Sequence, residues 1–464
     1  MKRKVLVIGL DCAEPSLVFH KWRTKLPNIS GLMDRGLFGP LISAIPPVTV
    51  PAWASMLTSK DPGQLGLYGF RNRQDHSYKS LALASSASIK EKTLDQILSR
   101  RRLTSILLGV PLTYPPRPLR GRMVSGVLTP NKKVTYTYPE NFKFVLEQAA
   151  GGNYIIDVED FRTEKKDALL ANIYDMTRAR FLAASYLLAA EPWDFFMMVE
   201  MGVDRIHHGF WRYHDQDHRL YEPGHKFRFA IRDYYRYLDT LVGRLTETAP
   251  DGTLILIVSD HGAKTMTGGF SLNQWLIQKR YLVLHDLPPE TTSLKPEMVD
   301  WTRTRAWGEG GYYGRLFLNM AGREPRGQVP AEDYDRLRDE IKARLEAEVD
   351  HQGRRMGNRA FKPEEIYRAV KNVAPDLLVY FGDLSWRSVG RVGRDQPIYT
   401  FENDTGPDDA NHAQEGILIM TAKGRALGRP AGARSGLTLY DLAPTVLDYL
   451  GLDIPEDMIG RVIE

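Results

Sequence analysis

The sequence predicts an α/β protein built on a doubly wound, mostly parallel sheet with helices on both faces. Three observations carry that expectation. Apolar runs recur without polar alternation, amphipathic helical patterns separate them, and Asp or His stands where several of the runs end. Unbroken apolar runs mark strands covered on both faces. Their alternation with helices is the pattern of doubly wound sheets.

In chain order, the strand candidates are "VLVIGL" (5–10), "SILLGV" (105–110), "FFMMVEM" (195–201), "LILIVS" (254–259), "LLVYF" (377–381) and "GILIMT" (416–421). All read as buried parallel strands. "SIKEKTLDQILSRRR" (88–102) opens on a serine cap and closes on arginines that suit a helix C-terminus. "KKDALLANIYDMTRARFLAASYLLAAE" and "HKFRFAIRDYYRYLDTLVGRLTET" are long amphipathic helices, and "TLYDLAPTVLDYLG" is a shorter one. Two stretches, about 111–165 and about 283–375, break the rhythm and read as inserted cap segments within a single domain spanning 1–464. The second holds the strand-like "GRLFLNM" and the charged helix "AEDYDRLRDEIKARLEAEVD". "GRALGRPAGARSG" (424–436) reads as a solvated connection.

The 464 residues carry a net charge of +5 with no polybasic tail. This mild bias suits an anionic substrate and gives no nucleic-acid signature. The single cysteine, Cys12, excludes an internal disulfide and fits a reducing, cytoplasmic setting. The opening "MKRKVLVIGLDCAEP" has basic residues before an apolar run, as a signal peptide does. That run is too short, and Asp11 interrupts it. The later "FLAASYLLAA" falls well below the roughly 20 residues of a membrane span.

Open α/β sheets bind ligands beyond the carboxyl ends of their strands. Asp11 follows the first apolar run. Asp204 and His208 follow "FFMMVEMG", four apart and so on one side of a helical turn. Asp260 and His261 follow "LILIVS", and His412 stands just before "GILIMT". Each alone reads as a turn or core residue, but their joint placement points to a metal site. Oxygen and nitrogen donors without thiolate suit Zn²⁺ or Mn²⁺. The donors exceed what one tetrahedral ion takes, and two ions about 4 Å apart clamp the attacking and leaving oxygens of phosphoryl transfer. The segment "IPPVTVPAWASMLTSKDPGQLGLYGF" offers a nucleophile. Pro51 suits a helix first turn, and Thr49 would present its hydroxyl at that N-terminus, where an anion is favoured. Thr49 could equally just cap the helix.

The stretches "VLVIGLDCAEP", "IPPVTVPAWASMLTSKDPGQLGLYGF", "VEMGVDRIHHGFWRYHD", "IVSDHGAKTMTGGFSLNQWL", "NHAQEGILIM" and "TLYDLAPTVLDYLGL" resemble the alkaline phosphatase superfamily. Within it, the chain is most similar to the type I phosphodiesterase/nucleotide pyrophosphatase group and the related phosphohydrolase/phosphomutase proteins. The resemblance implies an alkaline-phosphatase-like fold and two metal sites. One is held by Asp11, Thr49, Asp260 and His261, the other by Asp204, His208 and His412. It further implies that Thr49 is the nucleophile, giving a phospho-threonine intermediate on a small phosphodiester, pyrophosphate or phosphomonoester substrate.

The chain departs from the family pattern where an asparagine helps bind the phosphate. Gly69 and Phe70 occupy that place, with Arg71 and Arg73 just beyond. His207 competes with His208 as a ligand, but the spacing from Asp204 favours His208 and leaves His207 behind it or on the surface. A sulfatase reading fails because Cys12 is not at the Thr49 position. A dinucleotide-binding reading fails because "VIGLDCA" lacks the glycine pattern. The alternatives are a phosphotransferase or phosphomutase using the same ions, and a non-catalytic binder of phosphorylated ligands.

Overall fold

The computed structural model describes residues 3–79 and 81–464. Strands β1 (Lys4–Leu10), β2 (Leu37–Ile42), β3 (Ser105–Val110), β4 (Gly121–Ser125), β5 (Thr137–Tyr138), β6 (Phe195–Glu200) and β7 (Thr253–Val258) lie in one sheet, with β14 (Glu415–Ala422) and β15 (Gly432–Ala433) from the chain's end. Its order is β15-β2-β14-β7-β1-β6-β3-β4-β5. The central run from β7 through β4 is parallel. Helices α1 (Pro27–Arg35), α2 (Thr49–Thr58), α3 (Leu94–Arg100), α4 (Lys166–Ala190), α5 (Gly202–His214), α6 (Ala230–Thr248) and, near the end, α8 (Leu442–Leu450) pack with it.

The side chains of β1, β6 and β7 are buried along nearly their whole lengths, as the unbroken apolar runs require. The fold is α/β with a mostly parallel sheet, as expected. No helix among the described residues is long and apolar enough to cross a membrane.

Several elements differ from the sequence reading. "GILIMT" forms β14, but it runs antiparallel to both β7 and β2. "LLVYF" forms β12 (Leu377–Tyr380) outside the main sheet. It joins β9 (Ala306–Glu309), β10 (Gly314–Leu318) and β11 (Arg359–Phe361) in an antiparallel sheet ordered β9-β10-β12-β11. An apolar run reports that both faces are covered, not strand direction or sheet membership. Leu377 and Val379 of β12 pack in one core, Leu378 and Tyr380 in another. The first of these cores spans Phe270 to Trp386 and includes α7 (Tyr334–Glu346) through Leu337 and Ile341.

Part of the 111–165 stretch is sheet, since β4 pairs parallel with β3. The helix expected over 88–102 begins only after Thr93, whose side chain and Gln96 form a capping box. Strand β2 carries no unbroken apolar run, because Gly39 and Pro40 interrupt it. A Cβ at Gly39 would lie 2.1 Å from the Arg434 carbonyl oxygen, so the neighbouring chain passes too close for a side chain.

Candidate functional site

Strands β7, β1 and β6 are neighbours in register, with Gly9 opposite Val258 and Leu10 opposite Glu200. Their carboxyl ends therefore open side by side. Asp11 leaves β1 with its N–H donated to the Glu200 carbonyl (3.0 Å). Cys12 then turns the chain at φ 68°, and its N–H reaches Asp260 Oδ1 at 3.3 Å. Asp260 and His261 follow β7, while Asp204 sits in the first turn of α5, just past β6.

His412 arrives by a different route. It lies on β13 (Ala410–Ala413), which pairs antiparallel with β8 (Gly262–Thr265), and Ala263 stands opposite His412. The His261 and His412 rings stack with centroids 3.8 Å apart.

Thr49 is the first residue of α2, with Val48 at the cap position. Its Oγ1 lies 3.4 Å from His261 Nε2. One turn on, Trp53 donates Nε1–H to Asp11 Oδ2 at 2.7 Å, so one helix face carries both contacts. Gly9 makes room for this, since a Cβ there would come within 2.5 Å of the Trp53 ring.

All of the residues expected at the site are thus brought together: Asp11, Thr49, Asp204, His208, Asp260, His261 and His412 are buried at one end of the sheet. Two groups have ligand atoms within 4.8 Å of one another: Asp204, His208 and His412, and Asp11, Asp204 and His261. Asp204 belongs to both. Asp260 joins through an Oδ2 3.2 Å from His261 Nε2.

The imidazoles share one orientation. Nδ1 of His208 meets Asp408 Oδ1 at 2.6 Å, that of His412 meets the Pro47 carbonyl at 2.8 Å, and that of His261 the Gly262 carbonyl at 3.1 Å. Each Nε2 is left facing the carboxylates, with His208 Nε2 3.1 Å from Asp204 Oδ2. Such outer partners fix the ring orientation of metal-binding histidines.

The electrostatics suit a cation. Burial, followed by the charge of Asp204, pushes the Asp11 carboxyl well above its ordinary range, and burial followed by the charge of Asp11 does the same to Asp260. Burial also works on Asp204, but His208 and Arg205 outweigh it and hold that carboxyl well below the usual range. His261 is pushed down to about 4 by burial, and His412 is driven well down by burial and by its histidine neighbours. Clustered carboxylates facing imidazole nitrogens, of which burial keeps those of His261 and His412 neutral while Asp408 and Asp204 outweigh burial and push His208 upward, are relieved by a divalent ion. Asp11 Oδ1 and Asp260 Oδ2 are buried without a hydrogen-bond partner, which fits the same role. Cys12 Sγ points instead to the Gly262 carbonyl at 3.3 Å, leaving an oxygen and nitrogen donor set.

Beside the cluster lies a cavity of about 220 Å³, lined among others by Thr49, Phe70, Arg162, Arg205, Tyr312 and His412. Arg205 bonds Asp204 and Asp157, the latter at 2.6 Å. Arg162 donates Nε–H to Asp408 at 2.9 Å and a second N–H to the Tyr312 hydroxyl. Asp408 therefore joins Arg162 to His208.

Nothing in the residue order marks Asp408, Arg162, Tyr312 or Trp53 as part of the site. Arg162 and Tyr312 sit in the irregular stretches, where strand-end reasoning does not apply. Only the adjacency of Asp408 to the His412 segment could have drawn notice. His207 is not on the surface. It is fully buried, with Nε2 3.3 Å from the Tyr235 hydroxyl, because α5 is covered on nearly every side. Arg73 pairs with Glu324 at 3.3 Å, and neither it nor Arg71 lines the Thr49 cavity.

The sequence matches the family model of type I phosphodiesterase / nucleotide pyrophosphatase over residues 5–408. No curated protein matches it significantly. Solved structures share its fold. Phosphonoacetate hydrolase from Sinorhizobium meliloti 1021, in complex with phosphonoformate, aligns with TM-score 0.61 at 16% identity, covering 97% of this chain and 96% of that one. An inactive murine ectonucleotide pyrophosphatase / phosphodiesterase 5, in complex with AMP, aligns with TM-score 0.53 at 13% identity, covering 98% and 97%. Both lie in the alkaline phosphatase superfamily. The family's members are phosphoester hydrolases, and with most of its length matched, this chain belongs to the type I phosphodiesterase / nucleotide pyrophosphatase family.

Proposed function

We propose that the protein hydrolyses a small phosphoester through a covalent phospho-threonine on Thr49, using two divalent ions, zinc or manganese, held at the Asp/His cluster. The observation that carries this reading is the position of the Thr49 hydroxyl. It stands 3.4 Å from His261 Nε2, at the head of a helix and on the wall of an arginine-lined cavity. Asp11, Asp260 and His261 would hold one ion beside Thr49, and Asp204, His208 and His412 would hold the other, the Asp204 carboxylate also lying within reach of the first set. Bound ions of this kind supply Lewis acidity and lower the pKa of hydroxyl and water oxygens.

The chain's own groups do the rest. Arg162 and Arg205 offer N–H donors to the phosphoryl oxygens, taking the part of the family asparagine in whose place Gly69 and Phe70 stand. The free N–H groups of the first turn of α2 favour the same negative charge. Thr49 Oγ bonds to phosphorus as its hydroxyl proton passes to solvent, and the opposite P–O bond breaks, its oxygen leaving as an alcohol protonated from solvent or, from a pyrophosphate, as a phosphate. Water then cleaves the Thr49 ester, giving phosphate or a phosphomonoester and restoring the hydroxyl. His208, held by Asp408, stays aligned throughout. The lone buried Cys12 supports a reducing, cytoplasmic setting.

The test is single turnover with a ³²P-labelled phosphoester followed by acid quench. Label on the Thr49 peptide is expected. Turnover with no labelled protein, together with full activity in Thr49→Ala, would overturn the reading.

A further inference from the structure

Phe70 lines the Thr49 cavity, but Arg71 lines a second, separate cavity of about 330 Å³. Its charged side consists of Arg71, Lys79 and Arg315, its aromatic side of Tyr78, Trp301 and Trp307. The aromatic side is rigid. Tyr78 stacks on Trp301 with centroids 3.6 Å apart and planes at 7°, and Trp307 meets Trp301 edge-on at 5.1 Å. Arg73 braces Trp307 from 5.1 Å while ion-paired to Glu324. The Tyr78 hydroxyl is fixed at 2.7 Å from Asn319.

The charged side is under-compensated. Arg315 donates to the Arg71 carbonyl, which holds the two arginines together. Among the described residues, neither Arg71, Lys79 nor Arg315 forms an ion pair within 4 Å, and the one carboxylate lining the cavity, Glu309, is shared electrostatically among Arg315, Arg73 and Arg71. Cations gathered beside a pre-formed aromatic wall attract an anion, and the aromatic side adds no ordering cost of its own. A bare inorganic anion would leave the aromatic side unused, whereas a cavity of this size suits a small organic molecule.

We propose that this cavity binds an organic anion bearing an aromatic ring, its charged group against Arg71, Lys79 and Arg315 and its ring against Tyr78 and Trp301. Such a molecule is either the far end of a substrate or a separate effector. The binding is independent of whether Thr49 is the nucleophile.

Quenching of tryptophan fluorescence by phenylphosphonate, with methylphosphonate and benzyl alcohol as controls, reads this binding in the full-length, metal-loaded protein. Arg71 and Lys79 are exposed, so the double variant Arg71→Gln/Lys79→Gln is expected to fold, as its melting curve will show. Phenylphosphonate should bind the wild type and Thr49→Ala equally, and the double variant about tenfold more weakly. Each control should bind the wild type more weakly than phenylphosphonate. An unchanged Kd in the double variant, or an equal loss in Thr49→Ala, would overturn the proposal. If the double variant raises KM for a phenyl ester and not for a methyl ester, the ring belongs to the substrate. If both KM values hold and phenylphosphonate alters the wild-type rate without competing with substrate, it is an effector.

Discussion

His261 and His412 lie face to face, their ring centroids 3.8 Å apart and their planes 16° from parallel. One follows a central parallel strand and the other lies on a short antiparallel pair, yet both turn Nε2 toward carboxylates of the cluster, His261 to Asp260 at 3.2 Å and His412 to Asp204 at 4.0 Å. The stack joins the proposed nucleophile-side ligands to the leaving-group side, so a change at either set is expected to be felt at the other.

Thr49→Ala should abolish turnover, by on the order of 10³-fold or more, because the covalent route is closed. Metal content should change little, since the carboxylates and imidazoles remain. Parallel steady-state assays and elemental analysis make the comparison, and Thr49→Ser should retain part of the activity.

Asp408→Asn weakens the partner that aligns His208 and anchors Arg162. Metal affinity should fall about 10- to 100-fold, the usual cost of losing such an outer partner. Titration with a competing chelator measures it. Affinity equal to that of the wild type would remove Asp408 from the account.

Arg162→Gln should lower kcat/KM by about 10- to 100-fold through lost phosphate contacts. Metal content should be retained, which separates substrate binding from ion binding.

Stripping the ions leaves the Asp11, Asp204 and Asp260 carboxylates facing one another in a buried space. Chelated protein should lose turnover and melt at least about 5 °C lower, because a ligand that binds only the folded state stabilises it by mass action. Calorimetry before and after restoring Zn²⁺ or Mn²⁺ tests this. Identical melting with and without chelator would argue against a resident ion.

His214 packs edge-on against Trp22 and Trp211, and burial pushes its imidazole down to about 4. A depressed histidine contributes stability above its unfolded value, near 6.5, and loses it as pH falls through the folded value. The wild type should therefore lose stability between about pH 6.5 and 4, and His214→Gln should show a shallower slope across that window. Urea unfolding at stepped pH reads the difference. Equal slopes would show that His214 does not titrate as its burial implies.

The strand ends were legible because Asp11, Asp260 and His261 stand one or two residues past an apolar run, and Asp204 and His208 announce their shared helix face by spacing alone. His412 was readable only as lying near a strand. Asp408, Trp53 and the Pro47 carbonyl were not, since outer partners reach their targets across pairings that leave no local pattern.

By itself, then, the sequence determined which segments are buried and which donors stand at their ends, because burial and helical spacing are written in residue order. Only the tertiary structure decided that β12 belongs to a second sheet, that β14 runs antiparallel, and that Asp204 stands between both ligand groups. The physical reason is that strand direction, sheet membership and the meeting of distant side chains depend on which surfaces pack together, and hydrophobicity along the chain does not specify the partner.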